Sequence, residues 1–332
     1  MILENQIAVT VLMAVYNGEG WLEKSITSVL NQTYSNFEFI IVNDGSQDKS
    51  QQIVEKFALT DSRIRVFDKE NSGLADSLNY GLKKSRGTWV ARIDADDICR
   101  PDRLEKQIKA VSRYKDLVLI GSGLNIINEH DDVVQTHLYP THHSALLHCL
   151  SHALPFFAHS SAFFNLNVAN SVGGYRIQFM RSQDLDLWLR LAECGEIASI
   201  YEPLVSIRKH NNQLSSEKFG HLQTVYSHIA MASYWLRRLG WPDPAEKNND
   251  EDFGRFEAYV ERRLNEARLF ETREKIISIK VSVADSRSLL ERISLLAVTT
   301  LRSPIFIFAY LKNRIFGSSL PRRLAKEWTA LK

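Results

Sequence analysis

The stretch "VTVLMAVYNGEGWLEKSITSVLNQTYSNFEFIIVNDGSQDKS", residues 9–50, decides the fold. With Ile7 and Ala8 ahead of it, its first part is apolar at nearly every position. That suits a strand covered on both faces rather than one with a wet side. Leu22, Ile26, Val29 and Leu30 then share one helical stripe. "NFEFIIVNDGS" is a second strand ending in a turn. A strand, a helix and a strand joined by short loops point to a parallel sheet with helices packed across it.

The pattern continues outward from there. Ile53, Val54 and Phe57 line the next helix, and "RIRVF" is a short third strand. Leu74, Leu78 and Leu82 recur every four residues, so "SGLADSLNYGLKK" reads as a helix despite Gly81. "TWVARI" is a fourth strand. Pro101 opens a helix with Leu104, Ile108 and Val111 on its buried face. From about residue 118 connections lengthen, with strands expected at "LVLIGSGLNII" and "SSAFFN". "DLDLWLRLAEC" is a helix carrying Leu185, Trp188, Leu189 and Ala192 at 3.6 spacing, with Gly195 as a cap beyond its end. "EIASIYEPLVSIR" is a last strand, broken at Pro203. Beyond about residue 216 the chain reads as helical.

The 332 residues are 44% hydrophobic and 24% charged, ordinary for a soluble domain with an extension. A net charge of +2 excludes a nucleic-acid polycation. Cys99, Cys149 and Cys194 are odd in number and far apart, which argues against disulfides and zinc. They read as small buried hydrophobes in a reducing compartment. The 7–15 run has Glu4 rather than a basic region before it and no cleavage site after it, so a cytoplasmic location is expected. No apolar run reaches eighteen uninterrupted residues. Toward the end, "ISLLAVTTLRSPIFIFAYLKNRIF" (293–316) is apolar but interrupted by Arg302 and Pro304. Residues 301–332 carry an excess of Lys and Arg over the single acid Glu327. That composition suits a peripheral contact with an anionic membrane surface, on the inner face of the plasma membrane. It equally suits a helical subdomain packed on the core.

The polar clusters fall where chemistry is expected. "YNGEG", "NDGSQD" and "DADD" follow the first, second and fourth strands, and loops at the carboxyl ends of parallel strands form the binding crevice. In "DADD", two carboxylates ~5 Å apart repel by about 3 kcal/mol at an effective dielectric near 20. The cluster must stay solvated, bind protons or hold a cation. Oxygen ligands favour Mg²⁺ or Mn²⁺, commonly shared with substrate phosphates. The alternative is an acidic loop capping the next helix, where Asp102 also sits. Asp44-Gly45 by itself is a turn with glycine in the left-handed position. A carboxylate there also suits the N–H of a base such as uracil. Asn71 and Asn79 either line the same cleft or cap helices. His142, His143, His148 and His152 lack a metal geometry, since the i,i+4 pair His148/His152 has no third ligand.

Residues 9–50 together with "NSGLADSLNYGLKKSRGTWVARIDADD" and "SQDLDLWLRL" resemble family 2 glycosyltransferases. The resemblance implies the GT-A fold, a Rossmann-like α/β domain whose mixed, mostly parallel sheet is flanked by helices. That domain would span 1–215, with a nucleotide-sugar half at about 1–117 and an acceptor half at about 118–215. A helical C-terminal region would fill 216–332. Within the family the chain looks most like bacterial transferases of lipopolysaccharide, lipooligosaccharide or capsule that form β-1,3 linkages. The implied donor is a nucleotide sugar, UDP-linked and of GlcNAc, Gal or Glc type. The implied acceptor is a saccharide or lipid-linked hydroxyl, and the implied cofactor is Mn²⁺ or Mg²⁺.

Position by position, Ala14, Tyr16 and Asn17 would form the nucleotide-side loop, with Asp44 on the base and Asn71 in the same cleft. Asp94, with Ala95, would face the ribose or diphosphate, and Asp96 would ligate the metal with His210 nearby. Asp184 would be the general base of an inverting displacement. Gln183, where relatives often carry an acid, and His159 would fall on the acceptor side. Asp186 is expected at the surface or in a cap. A helix N-terminus stabilises the Asp184 anion and weakens it as a base, so burial would have to raise its proton affinity. The rival readings are a non-catalytic nucleotide-sugar-binding scaffold and a sugar nucleotidyltransferase. The second lacks a glycine-rich basic phosphate loop. Absence of GxGxxG after the first strand disfavours a dinucleotide oxidoreductase. Absence of QxxRW and of multiple membrane helices disfavours a processive synthase.

Overall fold

The computed structural model of the chain describes residues 9–210, 220–246, 250–267 and 319–331. The 293–316 run lies outside the described residues. Contacts divide the chain into two units, residues 1–150 with 155–217, and residues 151–154 with 218–332.

The first unit is built on a nine-stranded sheet. Strands β1 (Val9–Val15), β2 (Phe37–Asp44), β3 (Ile64–Lys69) and β4 (Trp89–Arg92) run parallel in the spatial order β3-β2-β1-β4. Every residue of β1 and β2 is buried, which explains their lack of alternation. The helices α1 (Leu22–Leu30), α2 (Ser50–Thr60), α3 (Leu74–Lys84) and α4 (Arg103–Val111) alternate with these strands and their loops. Leu22, Ile26 and Val29 of α1 reach zero exposure. α3 continues through Gly81 because the glycine faces the sheet. A Cβ there would stand 2.3 Å from Leu12 Cδ1.

The second half of the sheet is mixed. It contains β5 (Ile98–Cys99), β6 (Leu117–Ile127), β7 (Val133–His137), β8 (Phe163–Asn165) and β9 (Glu196–Arg208). β8 pairs antiparallel with both β4 and β6, while β6 and β9 are parallel. β9 is not broken at Pro203. It runs through, and the β6–β9 register shifts beside the Gly123–Pro203 pair, where the missing proline N–H is absorbed. α4 starts at Arg103, so Pro101 sits in the turn before it, its carbonyl accepting from the Thr33 N–H at 2.9 Å. The helices α5 (His143–Ser151), α6 (Leu166–Ser171) and α7 (Gln183–Ala192) complete the first unit's elements, α5 ending at the unit boundary. Cys99 and Cys149 are buried, but Cys194 is exposed just beyond α7, because that helix turns its apolar stripe inward before the chain reaches it.

The described residues of the second unit beyond its short loop 151–154 form α8 (Gly220–Arg238), α9 (Asp250–Glu266) and α10 (Leu320–Thr329). Aromatic rings hold them together. Trp328 packs on Phe256 and Tyr259 with centroids 5.0 and 5.2 Å away, and Tyr226 faces Phe253 at 6.5 Å. No helix among the described residues is long and apolar enough to cross a membrane.

Candidate active site

The carboxyl ends of β1, β2 and β4 bring their loops to one edge of the sheet. Ala14 is buried near the end of β1, and Tyr16 beyond it is half exposed. Asn17 adopts a left-handed backbone (φ 51°) and ties two loops together. Its N–H donates to Ser46 Oγ at 3.0 Å, and its Oδ1 accepts from the Gln47 N–H at 2.8 Å. The Gly18 N–H donates to Ser50 Oγ at 2.9 Å and the Glu19 N–H to Asp48 Oδ2 at 2.9 Å. The loop after β1 is therefore braced by the loop after β2.

Asp44 at the end of β2 is buried and heavily used. Its Oδ1 accepts from Lys69 Nζ at 2.9 Å and from the Ser72 N–H at 3.0 Å, and its Oδ2 accepts from the Gly73 N–H at 3.0 Å. Burial pushes the carboxyl up, but Lys69 and these donors outweigh it and hold it below its ordinary value. Asn71 Nδ2 donates to the Asp44 carbonyl at 3.0 Å. The 69–73 segment is thus folded around Asp44, which leaves about one carboxylate lone pair for a base. Asn79 lies within α3 rather than at a helix end. It brackets Tyr175, donating to its carbonyl at 2.7 Å and accepting its N–H at 2.8 Å.

The "DADD" turn is the centre of the site. Asp94 pairs with the fully buried Arg92 and accepts from Ser160 Oγ at 2.8 Å. Burial pushes Asp94 up, yet Arg92 and Ser160 keep it below its ordinary value. Ser160 reaches it because β8 runs antiparallel beside β4, so the short 3-10 turn His159–Ser161 ahead of β8 abuts the end of β4. Ser160 Oγ also contacts Asp97 Oδ2, and the Asp97 Oδ1 accepts the Arg208 N–H at 3.1 Å. One hydroxyl proton cannot serve both carboxylates. Burial and the charges of Asp96 and Asp94 push the Asp97 carboxyl well above its ordinary value.

Asp96 Oδ2 stands 2.9 Å from His210 Nε2. Burial and the charge of Asp94 raise Asp96, a site that welcomes a counter-charge. Ala95 packs between the two acids against the core. Arg208 holds the turn from below through the Asp96 carbonyl at 3.2 Å, and its guanidinium lies 4.2 Å from the Trp21 ring centre. Among the described residues no group of three or more His, Cys, Asp or Glu is arranged to hold a metal. A carboxylate beside an imidazole still fits a divalent cation that completes its shell with phosphate oxygens and water.

Asp184 sits in the first turn of α7, after Ser182 in a left-handed conformation (φ 55°). Its Oδ1 accepts the Leu185 N–H at 2.9 Å, which favours the anion. Burial and the charge of Asp94 outweigh this and the pull of Arg92, so its proton affinity is raised. Gln183 is buried beside it. His159 lies in a buried aromatic layer, with Nε2 2.8 Å from Tyr175 Oη and the ring 5.8 Å from Trp188. Burial and Arg92 lower it to about 3, so it stays neutral.

Asp186 is neither at the surface nor in a cap. It is fully buried, accepting from Arg190 Nη2 at 2.6 Å and Nε at 3.0 Å, with Arg176 Nη1 at 3.3 Å. Arg190 in turn grips the Val172 and Gly174 carbonyls. The reason is rotational: two residues on from Asp184, a helix side chain points about 200° away, here into the core. Arg92, Ser160, Tyr175 and Arg208 escaped the sequence reading. For Arg92 a signal existed, since a charge inside a strand buried on both faces demands a buried partner. Ser160 and Tyr175 carried none.

This arrangement has counterparts. The model of glycosyl transferase family 2 matches residues 10–173. The O-antigen biosynthesis glycosyltransferase WbnJ of Escherichia coli is 35% identical over 238 residues, which is 70% of this chain and 88% of that protein. Among solved structures, S. aureus TarS 1–349 in complex with UDP-GlcNAc aligns with a TM-score of 0.57 at 16% identity, covering 98% of this chain and 92% of that one. The mannosyltransferase PcManGT of Pyrobaculum calidifontis, in complex with GDP-Man and Mn²⁺, aligns at 0.54 and 18% identity, covering 93% and 88%. The fold is the GT-A arrangement. With strand-end carboxylates, sheet order and sequence in agreement, the chain belongs to glycosyl transferase family 2.

Proposed function

We propose that this protein transfers a sugar from a nucleotide donor, UDP-linked and of GlcNAc, Gal or Glc type, to a saccharide or lipid-linked hydroxyl. The setting we propose is assembly of a bacterial surface polysaccharide on the cytoplasmic side of the membrane. The O-antigen role named for WbnJ and the UDP-GlcNAc complex of TarS support this reading. The observation that carries it is Asp94, held by Arg92 and Ser160 at the carboxyl end of β4, with Asp184 in the first turn of α7 near enough for the Asp94 charge to raise its carboxyl.

In this reading Asp184 takes the proton of the acceptor hydroxyl, whose oxygen bonds to the anomeric carbon as the bond to the departing diphosphate oxygen breaks. One displacement inverts the anomeric configuration. Asp96 and His210 would hold Mn²⁺ or Mg²⁺, which when bound neutralises charge on the leaving diphosphate. Asn17, Tyr16, Ala14, Asp44 and Asn71 shape the nucleotide side, Asp94 and Ala95 face the ribose or diphosphate, and Gln183 and His159 back the acceptor side.

The test is a screen of UDP-sugars for metal-dependent transfer and hydrolysis, beside Asp96→Ala and Asp184→Asn. Asp184→Asn should bind donor normally and lose on the order of 10²–10⁴ in kcat. Asp96→Ala should lose metal-dependent nucleotide binding. Binding of a nucleotide sugar with no turnover by any donor would favour the scaffold reading. Formation of a nucleotide sugar from a sugar phosphate would favour the nucleotidyltransferase.

A further inference from the structure

Four arginines around the site are fully or nearly buried; Arg208 donates to the Asp96 and Asn128 carbonyls, and the other three differ in their wiring. Arg103 donates through Nε to Gln107 at 3.1 Å, through Nη1 to Cys99 Sγ at 3.2 Å, and through Nη2 to the Arg92 carbonyl at 2.8 Å. Arg190 grips Asp186 and two loop carbonyls. Both use all three nitrogens, as a guanidinium kept for stability should. Arg92 does not. Its Nη2 meets Asp94, while Nε and Nη1 have no hydrogen-bond partner among the described residues. A buried cation with two idle nitrogens is a poor stabilising device, and breaches of this kind concentrate at functional sites.

Its location says which function. Arg92 lies two residues from Val90 in β4 and so shares its face of the sheet. Val90 pairs with Phe164, whose ring packs 5.4 Å from Trp188 of α7, one helical turn beyond Asp184. The guanidinium therefore lies on the α7 side of the sheet, beneath the edge where Asp94 and Asp184 converge. With no exposure it cannot touch substrate.

We infer that Arg92 is a positioning residue for the transfer step: its buried guanidinium orients the Asp94 carboxylate and sets a positive charge on the side of the sheet where α7 presents Asp184. The inference rests on the reading of Asp184 as the base. Among the described residues the charges that act most on Asp184 are Asp94, just after β4, and Arg92 at the end of β4. Tyr175, from the loop before α7, is held protonated by burial. Arg92 is the cation of this set. Its field opposes both burial and Asp94, each of which favours protonated Asp184.

The experiment is the pH dependence of kcat/KM for the full chain and for Arg92→Gln, Arg92→Lys and Asp184→Asn, with thermal unfolding of each. Without the positive charge Asp184 holds its proton to higher pH. The acidic limb of Arg92→Gln should therefore move to higher pH, and the rate at a fixed pH on that limb should fall. Arg92→Lys keeps the charge and should restore the limb toward that of the parent. An unchanged limb in Arg92→Gln overturns the inference. So does a lysine variant that behaves like the glutamine one, or an Arg92→Gln protein that does not fold, which would make the guanidinium structural. Full activity of Asp184→Asn would instead overturn the assignment of the base, a separate and separately visible failure.

Discussion

Asp44 shows what one side chain can be asked to do. Its two oxygens take three hydrogen bonds, from Lys69 and from the Ser72 and Gly73 N–H groups. A residue serving only the nucleotide base could be truncated at little cost to the fold. Here truncation strands two backbone donors and takes from the half-buried Lys69 ammonium one of its two carboxylates, leaving Asp76. Asp44→Ala should therefore cost about 2–4 kcal/mol, seen as a lower urea midpoint in the absence of any nucleotide. Nucleotide affinity should fall with it, because the 69–73 segment loses the group it is folded around. Unchanged stability with weakened UDP binding would return Asp44 to a purely base-reading role. The chemistry of "NDGS" was legible in the sequence as a turn or a base contact. That Lys69 would consume much of the carboxylate was not, because the two residues are joined only by the pairing of β2 with β3.

Helix α7 presents Asp184, and its footing is Asp186. The apolar spacing of Leu185, Trp188, Leu189 and Ala192 announced the helix and its buried stripe, all four being buried. It could not announce that Asp186 also points inward, because the loop that supplies Arg176 and the Val172 and Gly174 carbonyls folds over it from outside the helix. Removing the acid leaves Arg190 buried without its counter-charge. Asp186→Ala should lose about 3–5 kcal/mol of stability by denaturant titration. Asp184→Asn, about 3 Å back along the same helix by its rise per residue, should change stability little. A surface Asp186 would give the reverse order.

At the scale of the whole molecule, buried histidines set the response to acid. His159 is neutral in the fold down to about pH 3, whereas an unfolded histidine protonates near 6.5. Between these values the unfolded chain binds more protons, so stability falls as pH drops from 6.5 toward 3. By pH 5 the loss from His159 is about 2 kcal/mol. His228 in the second unit, lowered by burial, acts in the same sense. Asp184, Asp96 and Asp97, raised by burial and by neighbouring carboxylates, act oppositely and add stability as they take up protons. Asp44 and Asp61, held low by Lys69 and Arg63, lose their contribution only below about pH 4. Urea midpoints at pH 7 and pH 5 should differ less in His159→Gln than in the parent chain. An equal difference would mean that His159 titrates normally in the fold.

The sequence by itself determined the alternation of strands and helices, the burial of β1 and β2 on both faces, and the end of β4 in a cluster of acids. These are properties of residues near one another in the chain, and periodicity and turn chemistry report them directly. Only the tertiary structure decided that β8 runs antiparallel to β4 and carries Ser160 to Asp94. It alone decided that β9 passes Pro203 through a register shift, that Asp186 is a buried clamp, and that Arg92 lies under the acids with two nitrogens idle. Each depends on strand order and on contacts between residues about ten to more than a hundred positions apart. Such contacts arise from packing whole elements, and no local pattern encodes them.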